Sequence, residues 1–313
     1  MSKQIRLNAF NMNCVGHIHH GLWKHPRDNS VDYNKPDYWI ELAQLPERGL
    51  FDNVFLADIV GVYDVLGDGI DVTAREAVQL PVNEPTYVIP LMAHATRHLG
   101  FGVTCNLTYE YPYLFARRMA TLDHLTMGRL AWNIVTGYLD SAARGVGLKQ
   151  QIDHDDRYDR GDDFLAAFYK LLEGSWEDGA VLADRVRATY AGPARIHRVF
   201  HDGPYYKVDG VYNLTEPSPQ RTPVLFQAGA SQRGKRFAGS QGAGEDRRQH
   251  PHAGGRGRAA LRRHQDFFRP GTAASRNPAI LRERVIGDYY LNGAVAPVPM
   301  AATPERASAA ERN

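Results

Sequence analysis

The sequence predicts an α/β fold built on a parallel sheet, and three observations carry that expectation. Short apolar or alternating runs recur as strands at residues 5–10, 51–57, 99–107, 129–135 and 224–228. Helical segments separate them at residues 37–48, 87–98, 113–125 and 157–173. Polar residues cluster just after the strand ends, at Asn11, Asp58, Asn106, Thr136 and Ser231. Strands alternating with helices make βα units, and such units pair in parallel. A polar rim at the carboxyl ends of strands is the ligand side of a β/α barrel and equally of a doubly wound sheet, so it leaves both architectures open. The first βα turn has no G-x-G-x-x-G, which argues against a Rossmann dinucleotide site.

Each element has its own reason. Ile5-Arg-Leu-Asn-Ala-Phe10 alternates apolar and polar residues, as a half-buried strand does. The helix over 37–48 ends at Gly49, and Pro46 near its end predicts a kink. The helix over 157–173 places Phe164, Ala167, Phe168, Leu171 and Leu172 on one face. Residues 174–221 form a long excursion with one hairpin expected near 205–212. Val224 to Ala228 reads as a fifth, buried strand. Gly229-Ala-Ser-Gln-Arg-Gly234 then turns the chain into a helix. Small residues at a strand-to-helix turn let backbone N–H groups approach an anion, and a helix N-terminus favours negative charge. This turn is a candidate phosphate seat, or an ordinary βα turn.

Composition sets outer limits. A chain of 313 residues suggests one large α/β domain or two smaller ones. Its net charge of +2 points to neither nucleic acid nor membrane as a partner. Two cysteines, Cys14 and Cys105, make no disulfide framework, so a reducing cytoplasm is expected. The N-terminus lacks the apolar core of a signal peptide, and no run approaches the roughly 18 apolar residues of a membrane span. The charge is uneven: residues 241–313 hold 12 arginines, no lysine and 7 acidic residues.

Several stretches together resemble the bacterial-luciferase-like flavin monooxygenases, in the subgroup of long-chain alkane, dimethyl sulfide and nitrilotriacetate monooxygenases. They are Leu7-Asn-Ala-Phe-Asn-Met-Asn-Cys-Val-Gly-His17, Gly21-Leu-Trp-Lys-His-Pro26, Phe55-Leu-Ala-Asp58, Ala116-Arg-Arg-Met-Ala-Thr-Leu-Asp-His-Leu125, Trp132-Asn-Ile-Val-Thr136, His154-Asp-Asp-Arg-Tyr158 and the turn around Ser231. The resemblance implies a TIM-type β/α barrel of the luciferase-like kind, here incomplete with about five of eight strands. It implies FMN as cofactor, reduced by a separate NAD(P)H:FMN reductase, and O₂ as co-substrate. A small apolar or sulfur-containing compound, such as a long-chain alkane, is the implied substrate. A homodimer is expected where the fold completes. An inactive truncated fragment and a flavin-binding protein without oxygenase activity are the alternatives.

The same resemblance assigns residues. Cys14, Tyr63 and Gln79 match positions lining the reaction pocket, and His17 is the favoured histidine of the dense run that also holds His19, His20 and His25. Asp58, Asn133, Thr136 and Tyr158 match flavin contacts, while Ala230, Ser231 and Gly234 match the phosphate site. Gly137-Tyr138 departs from the family, which usually has Ser followed, in the alkane-type enzyme, by His. Gly137 then offers only backbone to the flavin, and Tyr138 is left as the pocket's hydrogen-bond donor. Read from the residues alone, a small buried core residue is the commoner fate of a free cysteine such as Cys14, and Asp58 is equally a cap. A flavin that activates oxygen needs water excluded, and Met12, Val15, Trp23, Phe55 and Tyr63 are the expected greasy wall.

The resemblance stops near Ser240. Residues 1–240 are read as the N-terminal portion of the barrel, and 241–313 as an aberrant or disordered Arg/Gly/Ala-rich tail. Two readings of it stand: a natural Arg/Gly-rich tail that binds nucleic acid, and the preferred one, a frameshifted end, since GC-rich back-translation of residues 242–268, moved by one nucleotide, reads as a helix followed by a strand.

Overall fold

A computed structural model describes residues 6–17, 20–228 and 231–241. Strand β1 (Asn8–Met12) comes first. Helix α1 (Pro36–Arg48) opens on a proline, whose fixed φ and missing N–H suit a first turn. Pro46 lies inside α1, yet the helix runs on to Arg48, so the proline does not end it. Strand β2 (Asn53–Ala57) follows, then two short helices, α2 (Asp71–Glu76) and α3 (Ile89–His94). Helix α3 takes only the middle of the helix expected over 87–98; a 3₁₀ turn at Pro85–Val88 precedes it. Next come β3 (Gly100–Asn106), α4 (Pro112–Leu125), β4 (Leu130–Val135), the short α5 (Asp140–Gly145) and the long α6 (His154–Gly174).

The excursion after α6 holds two hairpins where one was expected. Strands β5 (Val181–Asp184) and β6 (Thr189–Ala191) pair antiparallel, as do β7 (Val199–Asp202) and β8 (Lys207–Val211). The chain then returns through β9 (Val224–Gln227) into α7 (Gln232–Gln241). Among the described residues the main sheet has five strands in the order β1-β2-β3-β4-β9, all parallel, with β1 and β9 at its edges. Among the described residues this α/β sheet does not close into a barrel. Residues 242–313, on which the tail expectation falls, lie outside the described residues.

Alternation along the strands sorts the sheet into two faces. One face carries Val54, Leu56, Phe101, Val103, Leu130, Trp132 and Ile134 into a core shared with α1, α3, α4 and α6. Trp132 is fully buried there, 4.6 Å from the ring of Phe115 and 5.3 Å from that of Phe168. Its Nε1 donates to the Cys105 carbonyl at 3.1 Å. The other face carries Phe10, Phe55 and Phe226 in a stacked row, with centroids 5.6 and 6.0 Å apart. Gly102 sits opposite that row, where a Cβ would lie 2.9 Å from the Phe226 ring. Phe10, on the edge strand, is 51% exposed.

Buried polar anchors fix the opposite end of the strands. The Arg129 guanidinium donates to the carbonyls of Thr126, Leu99 and Ala93 and to Thr96 Oγ1. Asp123 accepts from Gln220 N at 2.8 Å and from Gln220 Nε2 at 2.6 Å, which ties α4 to the segment entering β9. These groups hold the strands in register, so the loops at the carboxyl ends start from fixed positions.

Candidate active site at the strand ends

A cavity of about 260 Å³ opens at the carboxyl ends of β1 to β4. Met12 closes β1, Asp58 directly follows β2, Asn106 closes β3, and Val135 and Gly137 flank the end of β4; all line the cavity. Parallel pairing places Met12 beside Ala57 and Asn106 beside Val135, so residues far apart in sequence converge on one rim.

Two side-chain pairs complete the wall. Gln79 Nε2 lies 2.7 Å from His17 Nδ1, and an amide donating there leaves the imidazole proton on Nε2. The hydroxyls of Tyr63 and Tyr138, both on the cavity wall, meet at 2.5 Å. Burial, and then the bond to Tyr138, raise the Tyr63 phenol above its usual range. The loops carrying these tyrosines are also tied by Ser141, whose Oγ accepts from Val62 N at 2.9 Å and donates to Val62 O at 2.8 Å.

Asp58 is the carboxyl of this wall. Burial pushes it from 3.8 to about 7; the Ile59 N–H opposes the rise and the charge of Glu84 adds to it. This group therefore keeps its proton to far higher pH than an ordinary carboxyl.

His17, Asp58, Tyr63, Gln79, Gly137 and Tyr138 are thus brought together on one cavity. Cys14, Asn133, Thr136 and Tyr158 are not among its lining residues. Cys14 is buried behind Met12, and burial pushes its thiol up to about 11, which keeps it protonated and a poor nucleophile. Asn133 points to the Phe226 side of the sheet, with Nδ2 donating to Thr104 Oγ1 at 3.0 Å. Thr136 is buried, and its carbonyl accepts from Thr108 Oγ1 at 2.7 Å. Of the expected greasy wall only Met12 and Tyr63 line the cavity; Phe55 joins the stacked row and Val15 packs on the main core.

Tyr158 belongs to a second cluster, at the start of α7. Its ring lies 5.4 Å from Phe237, and the Arg233 guanidinium sits 5.5 Å from its centre. Arg233 is held by Asp159 at 2.7 Å and Asp162 at 2.5 Å. Ser231 caps α7: its Oγ accepts from Gly234 N at 2.9 Å, and its carbonyl accepts from Lys235 N at 2.9 Å. The expectations for Ala230 and His19 fall outside the described residues.

Asn106, expected only as one of the polar rim residues, lines the cavity. Its place directly after an apolar strand was the available signal. The rest of its role depends on Gly137, 31 positions further along the chain.

Comparison with known proteins converges on one group. A family model described as luciferase-like monooxygenase matches residues 16–245. The long-chain alkane monooxygenase of Geobacillus thermodenitrificans is 55% identical over 238 residues, which cover 76% of this chain and 54% of that protein. The dimethyl-sulfide monooxygenase of Hyphomicrobium sulfonivorans is 51% identical over 244 residues, covering 78% of this chain and 51% of that one. A crystal structure of long-chain alkane monooxygenase superposes with a TM-score of 0.74 at 55% identity, over 76% of this chain and 55% of that one. The chain spans about half the length of the curated relatives it matches.

Proposed function

Because the chain belongs to the luciferase-like monooxygenase family, we propose that it is the flavin-binding part of a two-component monooxygenase. In this reading reduced FMN comes from a separate NAD(P)H:FMN reductase, and the substrate is a small apolar or sulfur-containing molecule, a long-chain alkane being one candidate. The observation that carries the reading is the rim cavity, with its largely uncharged wall and one carboxyl poised near neutrality.

The residues present suit a flavin. The Ser231 cap at the head of a ten-residue helix supports a phosphate there, because first-turn N–H groups have no acceptor inside the helix. The cavity walls suit a ring: Met12, Val135 and the faces of Tyr63 and Tyr138 are apolar. Reduced FMN, when bound, supplies the electrons that activate O₂. The protein's part is to orient and to exclude water. The Tyr63–Tyr138 pair joins two loops of the wall, His17 and Gln79 hold each other in place, and Asp58 holds or releases a proton at its carboxyl. Among the described residues no helix is long and apolar enough to cross a membrane; the cytoplasm is the compartment that suits a partner reductase and two free thiols.

The test supplies chemically reduced FMN to the full chain with O₂ and either a linear alkane or a dialkyl sulfide. The reading expects an oxygenated product. FMN binding with hydrogen peroxide as the sole product supports a second reading, a flavin-binding protein that does not oxygenate. Failure to bind FMN defeats both.

A further inference from the structure

We propose that Asn106 is a ligand-binding residue of the rim cavity, whose Nδ2 donates to an uncharged acceptor, a carbonyl oxygen or ring nitrogen. This rests on the flavin reading, in which that acceptor belongs to the edge of the isoalloxazine ring.

Asn106 is 8% exposed, and what it shows it shows to the cavity. Its Oδ1 is committed: it accepts from Thr108 N at 2.9 Å, in the turn that ends β3. That bond fixes the amide, so Nδ2 faces the other way. Among the described residues no acceptor meets Nδ2. The residue lines the cavity, so whatever enters the cavity is the acceptor within reach of this donor. Gly137 supplies the space. A Cβ there would collide with Asn106 Nδ2, and its φ of +68° is one that L side chains rarely adopt. The amide and a side chain at position 137 exclude one another. The glycine departs from the hydroxyl expected at 137, and the Asn106 amide brings a donor to the same part of the rim. The acceptor is uncharged because Asp58 lines the same cavity, where an anionic ligand atom would meet its carboxylate.

The test is an FMN titration of the full chain, followed by quenching of flavin fluorescence. Asn106→Asp keeps the oxygen that receives Thr108 N and replaces the donor by an acceptor. Asn106→Ser is too short to bring a donor to the cavity. Gly137→Ala leaves the amide in the sequence and displaces it in space. All three are expected to weaken FMN roughly tenfold, the range for losing one hydrogen bond to the ligand. Circular dichroism confirms folding, and the visible spectrum of FMN at saturation reads the hydrogen bond directly. Asn106→Ser should shift that spectrum, which a purely structural role would not do. If the parent chain binds FMN and the variants bind within twofold with an unchanged spectrum, the Asn106 assignment is overturned and the flavin reading stands. If the parent chain does not bind FMN, both fall.

Discussion

Replacing Asp58 by Asn should stabilise the protein at neutral and alkaline pH, and the gain should grow between pH 4 and pH 7. Burial carries this carboxyl from 3.8 to about 7 in the folded chain. Below pH 4 the group is protonated in both states and adds nothing. Between 4 and 7 the unfolded chain ionises while the folded chain keeps its proton, so stability falls as pH rises. Above about 7 both are ionised and the loss is constant. At about 1.4 kcal/mol per pH unit the ceiling is roughly 4 kcal/mol. Asp58 keeps some contact with solvent, so about 2–4 kcal/mol is expected. Asparagine keeps an oxygen to accept from Ile59 N and cannot ionise. The assay is urea unfolding of parent and variant at pH 4, 5.5, 7 and 8.5, followed by tryptophan fluorescence. Subtracting one curve from the other removes the remaining titrating groups. A difference that stays flat across this range would refute the argument that burial governs Asp58.

Three further outcomes follow from the packing and the rim. Trp132→Ala should cost about 3–5 kcal/mol in urea unfolding, because a fully buried indole between Phe115 and Phe168 leaves a cavity. Tyr138→Phe should bring the Tyr63 phenol down toward its ordinary value but not to it, since burial remains; ultraviolet titration of the tyrosines would show one group moving to lower pH. Ser231→Ala removes the acceptor of Gly234 N–H and should cost about 1 kcal/mol in stability. The same change should weaken FMN more than riboflavin, which has no phosphate; equal losses for the two would place the phosphate elsewhere.

The order of the strands was legible because each buried strand is a short apolar run between turn residues. The residues 99–107 and 129–135 contain β3 and β4, trimmed by one or two residues where the chain enters its turns. The hairpin of β5 and β6 was missed because its strands are three and four residues long and half exposed, so no apolar alternation marks them. The isolated helix over 87–98 was overcalled, since the chain leaves the α3 path at Ala95. The site divides in the same way. Rim position was readable from polar residues at strand ends, and resemblance supplied Tyr63 and Gln79. His17 came from the dense histidine run and not from the resemblance, and what no local pattern carries is contact across sequence distance: His17 meets Gln79 from 62 positions away, and Tyr63 meets Tyr138 from 75. Asn106 was a polar rim residue like the others until its neighbour at 137 proved to be an absence of side chain.

Amide hydrogen exchange of the full chain, with and without FMN, tests the central claim most directly, because it reads where the ligand sits. The account predicts slower exchange in two places: the loops after β2, β3 and β4, at residues 58–63, 106–109 and 136–138, and the first turn of α7 from Gln232 to Lys235. Protection confined to other parts of the chain, or none at saturating FMN, would contradict it.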